Sequence, residues 1–100
     1  MEFLNPLADT NYPARSASYT ASAGATGTWA AGAQAVMVWS DQACYVLVGE
    51  SATATSASTP IPPFTPIPFK IPASVSGQWR VSAIRVSTDG TIYCKPINSQ

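Results

Sequence analysis

"AVMVWSDQACYVLVG", Ala35 to Gly49, carries the two most β-prone runs of the chain, residues 35–39 and 44–48, on either side of the polar Ser40, Asp41 and Gln42. Dense Val, aromatic and Leu residues favour strands, and a short polar break between two such runs predicts a hairpin. Side chains alternate between the faces of a strand, so Val36 and Val38 oppose Met37 and Trp39, while Cys44, Val46 and Val48 oppose Tyr45 and Leu47. Both faces are apolar. A one-sided sheet would show polar residues on its wet face, so this hairpin is expected to be central, covered by its own domain and by a further sheet, loop or subunit.

A second hairpin is predicted downstream in "QWRVSAIRVSTDGTIYCKPI", where Asp89-Gly90 separates residues 78–87 from 91–97. Trp79, Val81 and Ala83 oppose Arg80, Ser82, Ile84 and Val86, a mixed pattern that admits a bulge.

Between the hairpins lie "GESATATSAST", residues 49–59, expected to be a solvated loop or edge, and "STPIPPFTPIPFKIP", residues 58–72, which holds six of the nine prolines. Proline donates no ladder hydrogen bond, which excludes a central strand. Pro60, Pro62, Pro66, Pro68 and Pro72 are even-numbered, whereas Ile61, Thr65, Ile67, Phe69 and Ile71 are odd. The segment can therefore pair through its odd residues, bury Ile67, Phe69 and Ile71, and leave an outer edge almost without donors, as a blunted edge strand does. The repeated "TPIP" also suits a polyproline II arm lying on a neighbour, or a free linker or recognition motif.

Residues 1–15 read as an extended N-terminal arm with isolated apolar residues, and residues 16–34 as a small-residue stretch with strands near residues 18–21 and Trp29. No segment keeps a helical period. The expected fold is all-β: a single antiparallel β-sandwich or barrel of about six to eight short strands, residues 16–100, preceded by the arm.

Of the 100 residues 10% are charged and the formal net charge is zero, so little repulsion opposes association. The five basic residues are scattered, which argues against nucleic acid and against a membrane surface as partners. With no histidine and two well-separated cysteines, the chain lacks the usual triads and a soft-ligand metal set, so neither an enzyme nor a cofactor or metal site is expected. Asp41 and Asp89 fall at predicted turn tips, where carboxylates accept backbone N–H groups. Cys44 and Cys94 read as buried thiols, with a bridge between neighbouring strands as the alternative. The acid at position 2 and the lack of a long apolar run predict no secretory signal. Among the tryptophans, Trp39 and Trp79 sit inside apolar runs and read as core, whereas Trp29, between threonine and alanine, reads as a surface anchor. Candidate interface residues are Phe3, Leu4, Leu7 and Tyr12 in the arm, with Trp29, Ile61 and Phe64.

The order of a hydrophobic strand ending in Gly49, a Ser/Thr/Ala spacer, a proline-punctuated strand and a last hairpin from Trp79 resembles small virion proteins of tailed bacteriophages, over residues 35–97. The resemblance implies a capsid decoration or cement protein, homo-oligomeric and trimeric, seated on the major capsid protein and assembled in the host cytoplasm. A tail, neck or fibre component, including an adhesin-like carbohydrate binder using Trp29, is the alternative.

Overall fold

A computed structural model describes residues 4–6, 10, 12–30, 33–71 and 77–99, with the backbone alone at 4–6 and 98–99. Nine strands occur among them: β1 (Leu4–Pro6), β2 (Arg15–Tyr19), β3 (Gly24–Ala25), β4 (Ala35–Ser40), β5 (Cys44–Gly49), β6 (Thr59–Ile61), β7 (Ile67–Lys70), β8 (Arg80–Arg85) and β9 (Gly90–Ser99). They form two antiparallel sheets, a β-sandwich. In the five-strand sheet β1 and β2 share one edge of β9, followed by β4 and β7; in the four-strand sheet the order is β3-β8-β5-β6.

The two sheets repeat one lateral order. Chain segments β2–β3, β8–β9, β4–β5 and β6–β7 each place one strand in either layer, so the sandwich is a single antiparallel ribbon folded over along one line. Neither predicted hairpin therefore exists. β4 pairs with β9 and β7, and β5 with β8 and β6; β8 and β9 likewise pair in different sheets. Residues 41–43 and 86–89 are corners between layers, not hairpin turns. A polar break permits either outcome, and the chain buries more apolar surface by closing two layers over one core than by a flat ribbon.

The core confirms this. Val36 and Val38 of β4, Cys44 and Val46 of β5, Val81 and Ala83 of β8, and Ile92 and Cys94 of β9 point between the sheets, joined by Tyr19, Trp29, Ile61, Ile71 and Trp79. β8 holds one register with β5 from Arg80 to Arg85, without the bulge that its mixed pattern admitted. Its second face is covered instead. Residues 52–54 cross over it, Ala54 donating its N–H to Ser82 Oγ at 2.9 Å and Arg80 Nε donating to the Ala52 carbonyl at 2.9 Å. Ala52 and Ala54 are buried while Thr53 and Thr55 are exposed, so the alternating spacer is a half-buried strap and not the solvated loop expected.

The proline segment supplies an edge to each sheet. β6 borders β5 and β7 borders β4. Val36 faces Phe69 and Val38 faces Ile67, and Ile71 donates to the Gln34 carbonyl at 3.2 Å in the same register, so the odd residues carry the bonds and Pro68 faces out. Ile61 and Ile71 are buried, and Ile67 and Phe69 are half-buried against the core.

β9 is long because two strands share its edge. Arg15 pairs with Cys94 and Asn5 with Asn98. Pro96 falls in the gap between them, where none of the described residues of β1 or β2 pairs with it and its missing N–H breaks neither ladder. Within the expected arm, Leu4–Pro6 is thus a strand of the five-strand sheet, and the boundary expected after Arg15 falls inside β2.

Candidate docking face on the five-strand sheet

Because Val36, Val38 and Ser40 point inward, Met37 and Trp39 of β4 point out; Ile92 and Cys94 likewise turn Tyr93 and Lys95 of β9 outward. Trp39 is opposite Tyr93 and Met37 opposite Lys95. The Trp39 and Tyr93 rings stack, with centroids 4.5 Å apart and planes 21° apart, a cross-strand aromatic pair.

A third ring extends the pair. Phe64, on the corner between β6 and β7, lies 6.4 Å from Trp39 with 69% of its surface exposed. Its φ is 57°, in the left-handed region that a bulky residue enters only when its surroundings impose it. The constraint is the hydrogen bond from its N–H to the Ser40 carbonyl, 2.7 Å, which ties this corner to the end of β4. A cleft of about 240 Å³ opens beside the rings, lined by Arg15, Met37, Trp39, Tyr93 and Lys95 among others. Lys95 Nζ donates to the Tyr12 carbonyl at 2.9 Å, and the Arg15 guanidinium lies 5.6 Å from the centre of the Trp29 ring.

The anticipated surface anchor is not on this face. Trp29 is 2% exposed: it stacks on Trp79 at 4.7 Å, exchanges both backbone hydrogen bonds with it, and donates its indole N–H to the Pro13 carbonyl. Small neighbours left room for the indole to be drawn inward, so Trp29 is core, as is Trp79. Trp39, expected to be core, is the half-exposed tryptophan. Ile61 is buried at 2% exposure because it sits on the bonded, inward row of β6, and it is no interface residue. Phe64 is exposed, and Tyr12 is half-buried against the core. Phe3 and Leu7 lie outside the described residues, and Leu4 is placed by its backbone in β1.

Reading the odd face of residues 35–39 as a possible surface would have found Met37 and Trp39. The alternation of Tyr93 with Lys95 signals exposure in β9. What no local signal contains is the pairing of positions 39 and 93.

A polar cluster closes the fold line behind this face. Tyr19 Oη lies 2.6 Å from Ser40 Oγ and 2.8 Å from the Gln42 carbonyl, while Ser40 Oγ is 3.1 Å from the Thr91 carbonyl, so two hydroxyl protons are shared among three contacts. Burial pushes the Tyr19 hydroxyl up to about 12. Burial also raises the Cys44 and Cys94 thiols, both free. All three groups are thereby held protonated, which favours a structural over a nucleophilic role. Among the described residues no group of three or more His, Cys, Asp or Glu side chains could hold a metal ion.

No protein-family model, curated protein or solved structure matches the chain.

Proposed function

We propose that the protein is an assembly subunit that docks through the Phe64–Trp39–Tyr93 face on a larger protein surface. The setting proposed is the capsid shell of a tailed bacteriophage, where the protein, as a homotrimer, decorates and stabilises the major capsid protein. The observation that carries the docking role is Phe64, held in an unfavourable backbone conformation with its ring in water beside a half-exposed tryptophan. Relaxing that backbone would favour glycine or a small polar residue, and exposed aromatics are the usual anchors of interfaces. The virion setting draws on the strand order and proline punctuation of residues 35–97. Stabilisation would follow from mass action, because the subunit binds the assembled shell and not its dissociated parts.

The test is copy number and heat release. Hundreds of copies per purified particle, with genome lost at a lower temperature when the protein is absent, support the reading. Phe64→Ala or Trp39→Ala should lower occupancy while leaving the sandwich folded. Equal heat release with and without the protein would sink the cement role.

A glycan-binding tail or fibre module draws on the same aromatic pair, since sugars stack on such rings, with Trp39 in the place expected for Trp29. The residues lining the cleft include no carboxylate or carboxamide to accept hydroxyl protons, which weakens it. Copy numbers of a few to some dozens, with Trp39-dependent retention on immobilised glycans, would promote it.

A further inference from the structure

We infer that the open edge of β2 takes an extended strand from a partner polypeptide, whose large apolar side chain, placed opposite Ser16, lies on Tyr93 in the cleft. This rests on the docking reading above and names the form of the partner, a proline-free β-strand added to the five-strand sheet.

The edge follows from the register. Asp41 donates to the Thr91 carbonyl at 3.3 Å, so the odd residues of β9 bond toward β4 and its even residues toward β1 and β2. Cys94 therefore bonds with Arg15 and Ile92 with Ala17, and the even residues Ser16 and Ser18 aim their N–H and C=O groups away from β9, out of the sheet. The Ser18 carbonyl is met by the backbone of Gly24. Ser16 is exposed, and among the described residues none is hydrogen-bonded to its N–H or its carbonyl.

The other described edges are blunted. Pro60 faces out from β6, Pro68 from β7 and Pro6 from β1, and β3 is 2 residues long. β2 holds no proline. It is thus the edge at which main-chain donors and acceptors remain in water together.

The cleft lies against the same edge. Ser16 is opposite Tyr93 and Tyr93 opposite Trp39, so one outward row runs from the edge to the ring pair. Ala14 and Ser16 line the cleft of about 240 Å³ at its rim, with Met37, Trp39 and Tyr93 farther in. At about 4.8 Å between strands, a residue opposite Ser16 on an added strand has its Cα about 10 Å from that of Tyr93, with only a serine between. A phenylalanine-sized side chain spans that gap and rests on the tyrosine ring. Main-chain bonds would supply attachment and the cleft selection.

A second copy fits this place poorly. Its β2, turned about a two-fold axis at Ala17, would set Ser18 opposite Ser16, need the carbonyl that Gly24 already meets, and leave the cleft without a large side chain.

The test uses the full chain, isotope-labelled for NMR, and a synthetic peptide alternating threonine and valine around a central phenylalanine, with lysine at both ends. Two control peptides carry alanine for the phenylalanine, or a methyl group on the phenylalanine nitrogen. Outward residues of this edge sit in bonded pairs, so the phenylalanine N–H is the donor to the Ser16 carbonyl. In the free protein the Ser16 amide should exchange rapidly; the first peptide should protect it at least about tenfold and shift the Trp39 indole signal. The alanine peptide should bind about tenfold more weakly, and the N-methylated peptide should not bind. Ser16→Pro removes only an outward donor, as Pro68 does in β7, so the variant should stay folded and fail to bind.

A Ser16 amide protected without peptide, undiminished binding of the N-methylated peptide, or binding by a folded Ser16→Pro variant would overturn the inference. If that variant does not fold, protection of Ser16 by peptide in the native chain decides. Protection that grows with protein concentration alone would assign the edge to a second copy and overturn the partner strand. Particle occupancy separates the two claims. Occupancy that needs Trp39 but is unchanged by Ser16→Pro retains docking and rejects the added strand. Peptide binding by a protein whose particle occupancy ignores Phe64 and Trp39 retains the strand edge and rejects the assembly reading.

Discussion

The carboxylate of Asp41 accepts the backbone N–H of Thr91 at 2.8 Å, and the backbone N–H of Asp41 donates to the Thr91 carbonyl at 3.3 Å. Two segments that each change layers are clasped where they cross the fold line. Asp41→Ala should leave a Thr91 donor unsatisfied and destabilise the protein by about 1–2 kcal/mol. Asp41→Asn, which keeps an acceptor oxygen, should retain most of the stability. Urea denaturation of both variants checks the difference, and equal losses would show that the acceptor is not what matters.

Gly90 opens β9 beside the same clasp. A methyl group there would lie 2.5 Å from Tyr19 Oη and 2.6 Å from the Asp41 carboxylate, so the glycine serves close approach. Gly90→Ala should cost about 1–3 kcal/mol. Combining it with Tyr19→Phe should recover part of that loss, as read by a double-mutant cycle.

Alkaline stability follows from Tyr19. Its hydroxyl titrates near 10.0 in the unfolded chain and is pushed up to about 12 in the folded protein, because burial disfavours the phenolate. A raised folded-state value means the native state holds more protons through this window, so its contribution is complete below pH 10 and is lost as pH rises toward 12. Cys44 and Cys94, raised by burial from 9.0, act in the same direction from about pH 9 upward. Stability measured from pH 8 to 11.5 should fall, and Tyr19→Phe should flatten the part above pH 10.

Phe64→Gly tests whether the exposed ring is retained for function. Glycine adopts a φ of 57° without the penalty of a bulky side chain, so thermal stability should be unchanged or higher by up to about 1 kcal/mol. Particle occupancy should drop. A large loss of stability would mean that Phe64 holds the corner, and that its exposure has no separate use.

Both thiols are buried, so the native protein should react slowly with a thiol reagent. Denatured without reductant, it should yield two reactive groups per chain. Finding none would show a bridge between the two layers.

Period-two alternation determined much from sequence. It marks Val36, Val38, Cys44, Val46, Val81 and Ala83 as members of common faces, and the even-numbered prolines as the outer row of edge strands. These follow from strand geometry, which any pairing preserves. Composition likewise points to an all-β chain with few charges.

What the sequence left to the tertiary structure is which strand lies beside which. "SDQ" at 40–42 and "STDG" at 87–90 can close hairpins or turn corners between layers, and only the burial gained over the whole chain decides between them. That choice sends residues 35–40 toward residues 92–97 and the proline segment, pairings separated by tens of residues. It therefore decided that Trp39 meets Tyr93 at the surface and that Trp29 is drawn inward onto Trp79. An indole's identity requires a large contact area, but whether core or partner supplies it depends on which side of the folded ribbon it occupies.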